Sequence, residues 1–123
     1  MGSANKIIGR YDDAIYCYNK ILEISPEYED ALNNLANLYA LIDQLPMSLK
    51  LYNLLLKINP KDPMVWYNTG ITYYELGKFE KAIDCYKNAI ILRPNYIEAL
   101  TNIALIFENL MIIYKLINIG QVF

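Results

Sequence analysis

Histidine is absent from this chain of 123 residues, and cysteine, glycine and proline are scarce, with two, five and five residues. Without histidine the chain lacks His-based catalytic triads, the usual general base and the commonest metal ligand in proteins. The scarcity of glycine and proline excludes flexible linkers and low-complexity tracts. The sequence also contains no phosphate-binding loop and no metal-ligand spacing. These absences predict a chain with no catalytic residue, no metal and no other cofactor.

Basic residues are also few, with eleven Lys and Arg against thirteen Asp and Glu and a net charge of −2. A nucleic-acid binder needs a clustered basic surface, so this balance predicts no nucleic-acid partner. Hydrophobic residues make up 55% of the chain, enough for one domain with its own core. The apolar C-terminal stretch is interrupted by Asn102, Glu108, Asn109 and Lys115, which argues against a membrane span and predicts no membrane partner.

A period of 34 residues runs through the chain, and six columns of identical or similar residues keep this interval in one register. Such a fixed period is the signature of a repeat protein. The columns are Pro26, Pro60 and Pro94; Tyr18, Tyr52 and Tyr86; Leu32, Trp66 and Leu100; Asn34, Asn68 and Asn102; Ala36, Gly70 and Ala104; Tyr39, Tyr73 and Phe107. Within each period, apolar residues recur at the i, i+3, i+4, i+7 spacing of a helix.

Short breaks divide each period into two helices. They fall at residues 9–11, 43–45 and 77–79, where Gly9, Asp43 or Gly77 supplies the left-handed residue that ends a helix. The column of small residues at 36, 70 and 104 predicts that neighbouring helices cross closely there, with aromatic residues filling the gaps. The predicted fold is an all-α stack of about six helices, built from helix-turn-helix units, in which the prolines close the second helices.

This pattern resembles the tetratricopeptide repeat (TPR) family. Residues 63–96 match its 34-residue motif through Trp66, Gly70, Tyr73, Gly77, Ala82, Tyr86, Ala89 and Pro94. Residues 29–62 match it more loosely, residues 9–28 carry a second helix only, and residues 97–123 carry a first helix that continues into an atypical apolar C-terminal helix. The resemblance implies a superhelical α-solenoid with a concave groove, and a function in binding partner proteins rather than in catalysis.

The resemblance also implies that the first helix of each pair lines the groove. These helices, at residues 28–42, 63–76 and 96–110, contain no Lys or Arg. Some TPR proteins hold acidic tails in a carboxylate clamp that needs cations, so this chain is predicted to bind a peptide of neutral or basic character instead. The candidate groove residues are Asn33, Asn34, Asn37, Met64, Tyr67, Asn68, Ile71, Tyr74, Thr101, Asn102 and Leu105.

Asn34, Asn68 and Asn102 recur once per repeat, and this column is similar to the asparagine ladder in the TPR superhelix of O-GlcNAc transferases. There each amide can donate to and accept from the backbone of an extended peptide. Two interpretations stay open. The column contacts a peptide at the surface, or it reflects only the abundance of asparagine in this chain or a bond to the local backbone. Three functions are compatible with the pattern. They are an interaction module, the substrate-recruiting part of a larger enzyme such as an O-GlcNAc-transferase-like glycosyltransferase, and a self-assembling structural part.

Two features indicate the cell compartment. The opening Met-Gly-Ser-Ala is not a signal peptide, because no charged segment leads into an apolar one. We interpret residues 1–3 as a cloning remnant on an excised fragment, ahead of a truncated first helix that ends at residue 8. Cys17 and Cys85 lie two whole repeats apart, too far for a disulfide. We therefore expect free thiols and an intracellular, cytoplasmic location.

The C-terminal segment lacks the break expected at residues 111–113. We therefore predict one long helix from about Tyr96 to Asn118, with no antiparallel partner in its own chain. Its exposed apolar surface and the open N-terminal end predict a homodimer, formed by pairing or by helix exchange. The alternative is that residues 111–123 fray or fold back as an irregular cap. The residues predicted for self-association are Met111, Ile112, Tyr114, Leu116, Ile117 and Ile119.

Overall fold

The computed structural model describes the backbone of residues 2–121 and the side-chain surroundings of residues 9–119. Within this part of the chain it contains six helices and no strand, which confirms the predicted fold class. Met1, in the supposed cloning remnant, and residues 122–123, at the end of the C-terminal segment, lie outside the described residues. The helices are α1 (Gly2–Ile24), α2 (Glu29–Leu41), α3 (Leu45–Ile58), α4 (Pro63–Glu75), α5 (Phe79–Leu92) and α6 (Ile97–Gln121).

The turns inside the two complete repeats have the same backbone geometry. Asp43 follows α2 with a φ of 61° and Gly77 follows α4 with a φ of 78°, both in the left-handed region. After Gly77, the amide of Lys78 donates to the carbonyl of Tyr73 at 2.9 Å, and the equivalent bond in the other turn measures 2.8 Å. Such bonds are typical of helices that end in a left-handed residue. The predictions for Asp43 and Gly77 are confirmed.

The prolines of the 34-residue series lie just after the second helices. The helices α1, α3 and α5 end two residues before Pro26, Pro60 and Pro94. Proline disfavours the helical conformation in the residue that precedes it, so each of these helices ends where the prolines predict. Pro63 instead begins α4, where the Asp62 carboxylate accepts a hydrogen bond from the amide of Met64 at 3.0 Å.

The predicted break at residues 9–11 is wrong. The helix α1 runs from Gly2 to Ile24 without interruption, and a Cβ added at Gly9 would have no atom within 4 Å. A left-handed turn at Gly9 would separate residues 2–8 from the rest of α1 as a helix of their own. Residues 2–8 make about two helical turns, too few for a stable partner helix. Continuing α1 through Gly9 costs only about 1 kcal/mol in helix propensity.

Each complete repeat packs through a small residue opposite a tyrosine. A Cβ added to Gly70 on α4 would lie 2.6 Å from the ring of Tyr86 on α5. Tyr86 is 1% exposed, and in the preceding repeat Ala36 and Tyr52, members of one core cluster, are 0% and 2% exposed. The close crossings predicted at residues 36 and 70 are confirmed. At Ala104 the prediction is wrong, because that residue is exposed and no helix within residues 2–121 covers it.

The helix α6 packs on α5 only through its first turns. Ala99 and Ile106 are buried there, whereas every residue from Phe107 to Ile117 is exposed. By length and composition alone, Ile97–Ile119 would suffice to cross a membrane. Its most apolar stretch of 18 residues has a mean hydropathy of 1.5, and only 6% of that stretch is buried. The sequence argument against a span is therefore too strong, because a few polar residues do not lower the hydropathy of so long an apolar helix enough.

Two glycines within helices, Gly70 and Gly9, provide a test of this packing. We expect Gly70→Ala to destabilise the fold by about 1–3 kcal/mol, because the new methyl group overpacks against the Tyr86 ring. Gly9→Ala is the matched control and should stabilise α1 by about 0.5–1 kcal/mol, since the position is helical and open. Urea denaturation followed by circular dichroism measures both. Equal effects of the two changes would contradict the close crossing at Gly70.

Candidate functional site

A cavity of about 300 Å³ opens between α4, α5 and α6. Its lining residues are Ile71, Tyr74, Glu75, Tyr86, Asn102 and Leu105. Four of these, Ile71, Tyr74, Asn102 and Leu105, belong to the groove set predicted from the sequence. The cavity therefore gathers predicted residues from two first helices, α4 and α6, into one concave site.

Sequence reasoning missed two residues of this cavity, Glu75 and Tyr86. Tyr86 lies on the second helix α5 and was interpreted as packing only, whereas its ring packs on Gly70 and the residue also lines the cavity. The column of Tyr18, Tyr52 and Tyr86 could have indicated this role, because a residue between two repeats can pack within one repeat and line a cavity with the next. Glu75 is exposed at the end of α4 and is the one carboxylate among the described side chains that line this cavity.

Asn102 is held by two tyrosine hydroxyls within the cavity. Its Nδ2 donates to the hydroxyl of Tyr67 at 3.3 Å and to that of Tyr86 at 3.4 Å. The Tyr67 ring stacks on Tyr96, the residue just before α6, with centroids 5.0 Å apart, so it belongs mainly to the packing between α4 and the start of the last repeat. Burial raises the pKa of Tyr86 to about 12, so its phenol stays neutral to higher pH than an exposed tyrosine would.

The asparagine column does not lie uniformly at the surface. Asn34 is exposed, whereas Asn68 and Asn102 are half-buried. At Asn102 the partial burial follows from the pair of tyrosine hydroxyls that approach the side chain. These two bonds use only the NH2 group of the Asn102 amide. Its carbonyl oxygen accepts no hydrogen bond from the described residues and is free to accept one from a ligand.

A second cavity, of about 420 Å³, lies between α1 and α2. Tyr18, Asn34 and Asn37 line it, two repeat periods before Tyr86, Asn102 and Leu105 of the first cavity. Unlike the described lining of the first cavity, it includes a cation, the exposed Arg10. Sequence reasoning missed Arg10 because it was assigned to a turn at residues 9–11 rather than to α1. The Asn37 side chain also accepts a hydrogen bond from the hydroxyl of Tyr52. The remaining lining residues are Tyr11, Ala14, Leu38 and Leu41.

Five predicted groove residues line neither cavity: Asn33, Met64, Tyr67, Asn68 and Thr101. Met64 is 55% exposed, and the hydroxyl of Thr101 donates to its own helix backbone at Ile97. The Asn33 side chain is half-buried, and its oxygen has no partner within the described residues. The six residues predicted for self-association are all exposed, between 51% and 65%.

The two cysteines are free, as predicted, with Cys17 exposed and Cys85 buried. Burial, with a smaller effect of Asp84, raises the pKa of the Cys85 thiol to about 11. This thiol is therefore protonated near neutral pH and a poor nucleophile. Among the described side chains, no three potential metal ligands lie close enough together to hold a metal ion.

The repeat geometry and the groove define a TPR-type helical array, and comparison with known proteins agrees. Residues 2–43 match the family described as TPR repeat, and residues 63–96 match the family described as tetratricopeptide repeat. The chain is therefore built from tetratricopeptide repeats. A likeness to O-GlcNAc transferases in particular stays a prediction.

Curated relatives share these repeats over part of their length. A TPR repeat-containing protein of Methanocaldococcus jannaschii is 35% identical over 78 residues, which cover 63% of this chain and 23% of the relative. The peroxisomal targeting signal receptor of Candida glabrata is 28% identical over 75% of this chain and 15% of its own. The chain thus spans less than a quarter of the length of these relatives.

Solved structures share the fold. The first TPR of Spaghetti (RPAP3), bound to the HSP90 peptide SRMEEVD, superimposes with a TM-score of 0.77 and 26% identity. That match covers 89% of this chain and 87% of the other. The MamA protein superimposes with a TM-score of 0.78 at 22% identity, over 89% of this chain and 60% of its own.

The two buried tyrosine hydroxyls predict a specific alkaline sensitivity. Burial raises the pKa of Tyr52 and of Tyr86 from 10.0 to about 12. The unfolded chain therefore ionises first, and the free energy of unfolding should fall as pH rises from about 10 towards 12. Tyr52→Phe with Tyr86→Phe should flatten this fall, whereas Tyr16→Phe at an exposed position should not. Urea titrations at a series of pH values test it, and an unchanged slope in the double variant would contradict it.

Proposed function

We propose that this chain is an interaction module that binds an extended peptide segment of a partner protein of neutral or basic character. The observation that carries the proposal is the cavity between α4, α5 and α6, where apolar walls surround a small number of polar groups. Such a combination is typical of binding sites, in which apolar contacts give affinity and a few polar groups fix orientation.

The contacts available in the cavity suit a peptide main chain. Tyr74 and Leu105 are 43% and 50% exposed and offer apolar area to a partner side chain. The Asn102 amide lies beside them, and its carbonyl oxygen can accept a hydrogen bond from a peptide N–H. Tyrosine is one of the residues most enriched at binding hot spots.

Charge supports a neutral or basic peptide over an acidic one. The helices α2 and α4 and residues 97–110 of α6 contain no Lys or Arg, and the cavity's ionisable carboxylate is that of Glu75. The related TPR of Spaghetti holds the peptide SRMEEVD, which carries three acidic residues. An acidic peptide in this cavity would meet Glu75 without a compensating cation, so that ligand class is disfavoured.

The activity of a longer protein that contains this chain is a separate proposal. The curated relatives are several times longer than the matched region, so these repeats can act as the recruiting part of a larger protein. We propose a binding role without catalysis for the chain itself. An intracellular, cytoplasmic location is the further proposal that its two free thiols support.

Peptide selection from a random library, followed by isothermal titration calorimetry, tests the charge preference. We expect selected peptides to be uncharged or basic. We also expect SRMEEVD to bind more weakly than a version in which both glutamates are replaced by lysine. Glu75→Lys should reverse that order, because it exchanges the sign of the charge at the cavity. Tighter binding of SRMEEVD by the unaltered chain would contradict the proposal.

Paired substitutions locate the bound peptide. Leu105→Ala and Tyr74→Ala should each weaken the selected peptide about tenfold, the equivalent of about 1.4 kcal/mol. Ile91→Ala is the matched control, because Ile91 is a 75% exposed aliphatic residue on the second helix α5, outside the cavity. Binding that is insensitive to the first two changes, or weakened by the control, would place the peptide elsewhere.

A further inference from the structure

The repeat frame leaves one half-repeat at each end of the described chain. The helix α1 carries the second-helix pattern and has no first helix packed in front of it, while α6 carries the first-helix pattern and has no second helix packed behind it. In the complete repeats these two kinds of helix bury one face against each other, in the pairs α2 with α3 and α4 with α5. Each terminal helix therefore presents a face whose equivalent is covered elsewhere in the same molecule.

On α6 this face consists of Leu100, Ala104 and Phe107. Leu100 is 47% exposed and Phe107 is 49% exposed, and Ala104 between them is also exposed. Two periods earlier, the equivalents Leu32 and Ala36 are 1% and 0% exposed. One period earlier, Gly70 is buried and Trp66 is half-buried. The difference measures what a second helix would cover.

On α1 the equivalent face consists of Ala14, Tyr18 and Ile21. Ile21 is 38% exposed, whereas its equivalents Leu55 and Ala89 are 2% and 0% exposed. Ala14 and Tyr18 are half-buried, because α2 covers only one side of α1. Their equivalents in α3 and α5, Ser48, Tyr52, Ala82 and Tyr86, are at most 2% exposed.

These two faces are complementary to each other rather than to themselves. Ala104 stands in the column of Gly70, and Tyr18 stands in the column of Tyr86, the pair that packs most closely in the complete repeat. Bringing α6 of one molecule against α1 of another would set Ala104 opposite Tyr18. We propose that the surface Leu100, Ala104 and Phe107 binds α1 of a second copy of this chain, and that the two half-repeats form one complete tetratricopeptide repeat across the contact.

The absence of a turn in both helices is compatible with this contact. Two helices from separate molecules need no connecting turn, so α1 and α6 can run past each other in antiparallel directions. Advancing seven residues from Ala104 along α6 reaches Met111, and retreating seven from Tyr18 along α1 reaches Tyr11, so these two residues come level. The exposed Met111 and Tyr114 continue the face of α6 at alternating three- and four-residue steps, as in a helix-helix seam.

This contact is heterologous, because it joins different surfaces of the two molecules. Such a contact that does not close into a ring gives chains that grow with concentration, whereas pairing of two like C-terminal helices gives a closed dimer. The two arrangements therefore predict different masses and different responses to substitution. The proposal is independent of the peptide-binding function, since the cavity lining lies within one molecule.

Two surface substitutions, one on each face, test the proposal by sedimentation velocity and multi-angle light scattering. The unaltered chain should grow beyond twice its mass of 14.3 kDa as its concentration rises. Ala104→Arg and Ile21→Arg each block one face and should leave the protein a monomer when alone. An equimolar mixture of the two variants retains one free face of each kind, so it should form a heterodimer and stop there.

Controls separate this contact from other associations. Tyr16→Arg changes the 63% exposed outer side of α1, where the equivalents Lys50 and Asp84 stay exposed in complete repeats, so it should leave growth unchanged. Leu116→Arg changes α6 away from the proposed face and should also leave it unchanged. Circular dichroism confirms folding, which both blocking changes should preserve since their sites are exposed. A monomeric unaltered chain, a closed dimer that Leu116→Arg alone disrupts, or a mixture that stays monomeric would each overturn the proposal.

Discussion

The contact between Gly70 and the ring of Tyr86 sets how closely the helices of a repeat approach. There is no room for a Cβ on the glycine, since that atom would lie 2.6 Å from the ring. The preceding repeat uses Ala36 and Tyr52 in the same columns, and both are almost fully buried. Because each repeat packs mainly on its neighbours, one such contact per repeat determines the position of the next pair of helices.

The same tyrosine connects the packing to the candidate site. The ring of Tyr86 fills the gap opposite Gly70, while its hydroxyl accepts from the Asn102 amide of the following repeat. A shift in the close crossing would therefore move the hydroxyl and the amide relative to Tyr74 and Leu105, the exposed walls of the cavity. The binding site is in this sense a product of repeat stacking, not of any single helix.

The sequence was sufficient for features that depend on local conformation or on the repeat. The left-handed turns at Asp43 and Gly77 follow from backbone sterics, and a period of 34 residues pairs the helices. It was insufficient where the outcome depends on which neighbours are present. Gly9 lies inside the continuous helix α1, where residues 2–8 make only about two turns ahead of it, and the surroundings of Asn102 depend on tyrosines from two other helices. Tyr86 was assigned to packing because a sequence pattern gives one role to a residue that contacts two repeats.

An amide chemical-shift titration of the isotope-labelled chain with a selected neutral or basic peptide tests the central claim, that the first-helix side of the repeat stack binds peptide. The account predicts that the largest shifts fall on α4 and on the first half of α6, around the cavity residues Tyr74, Asn102 and Leu105. Shifts concentrated instead on the outer faces of α3 and α5, with the cavity residues unchanged, would contradict it.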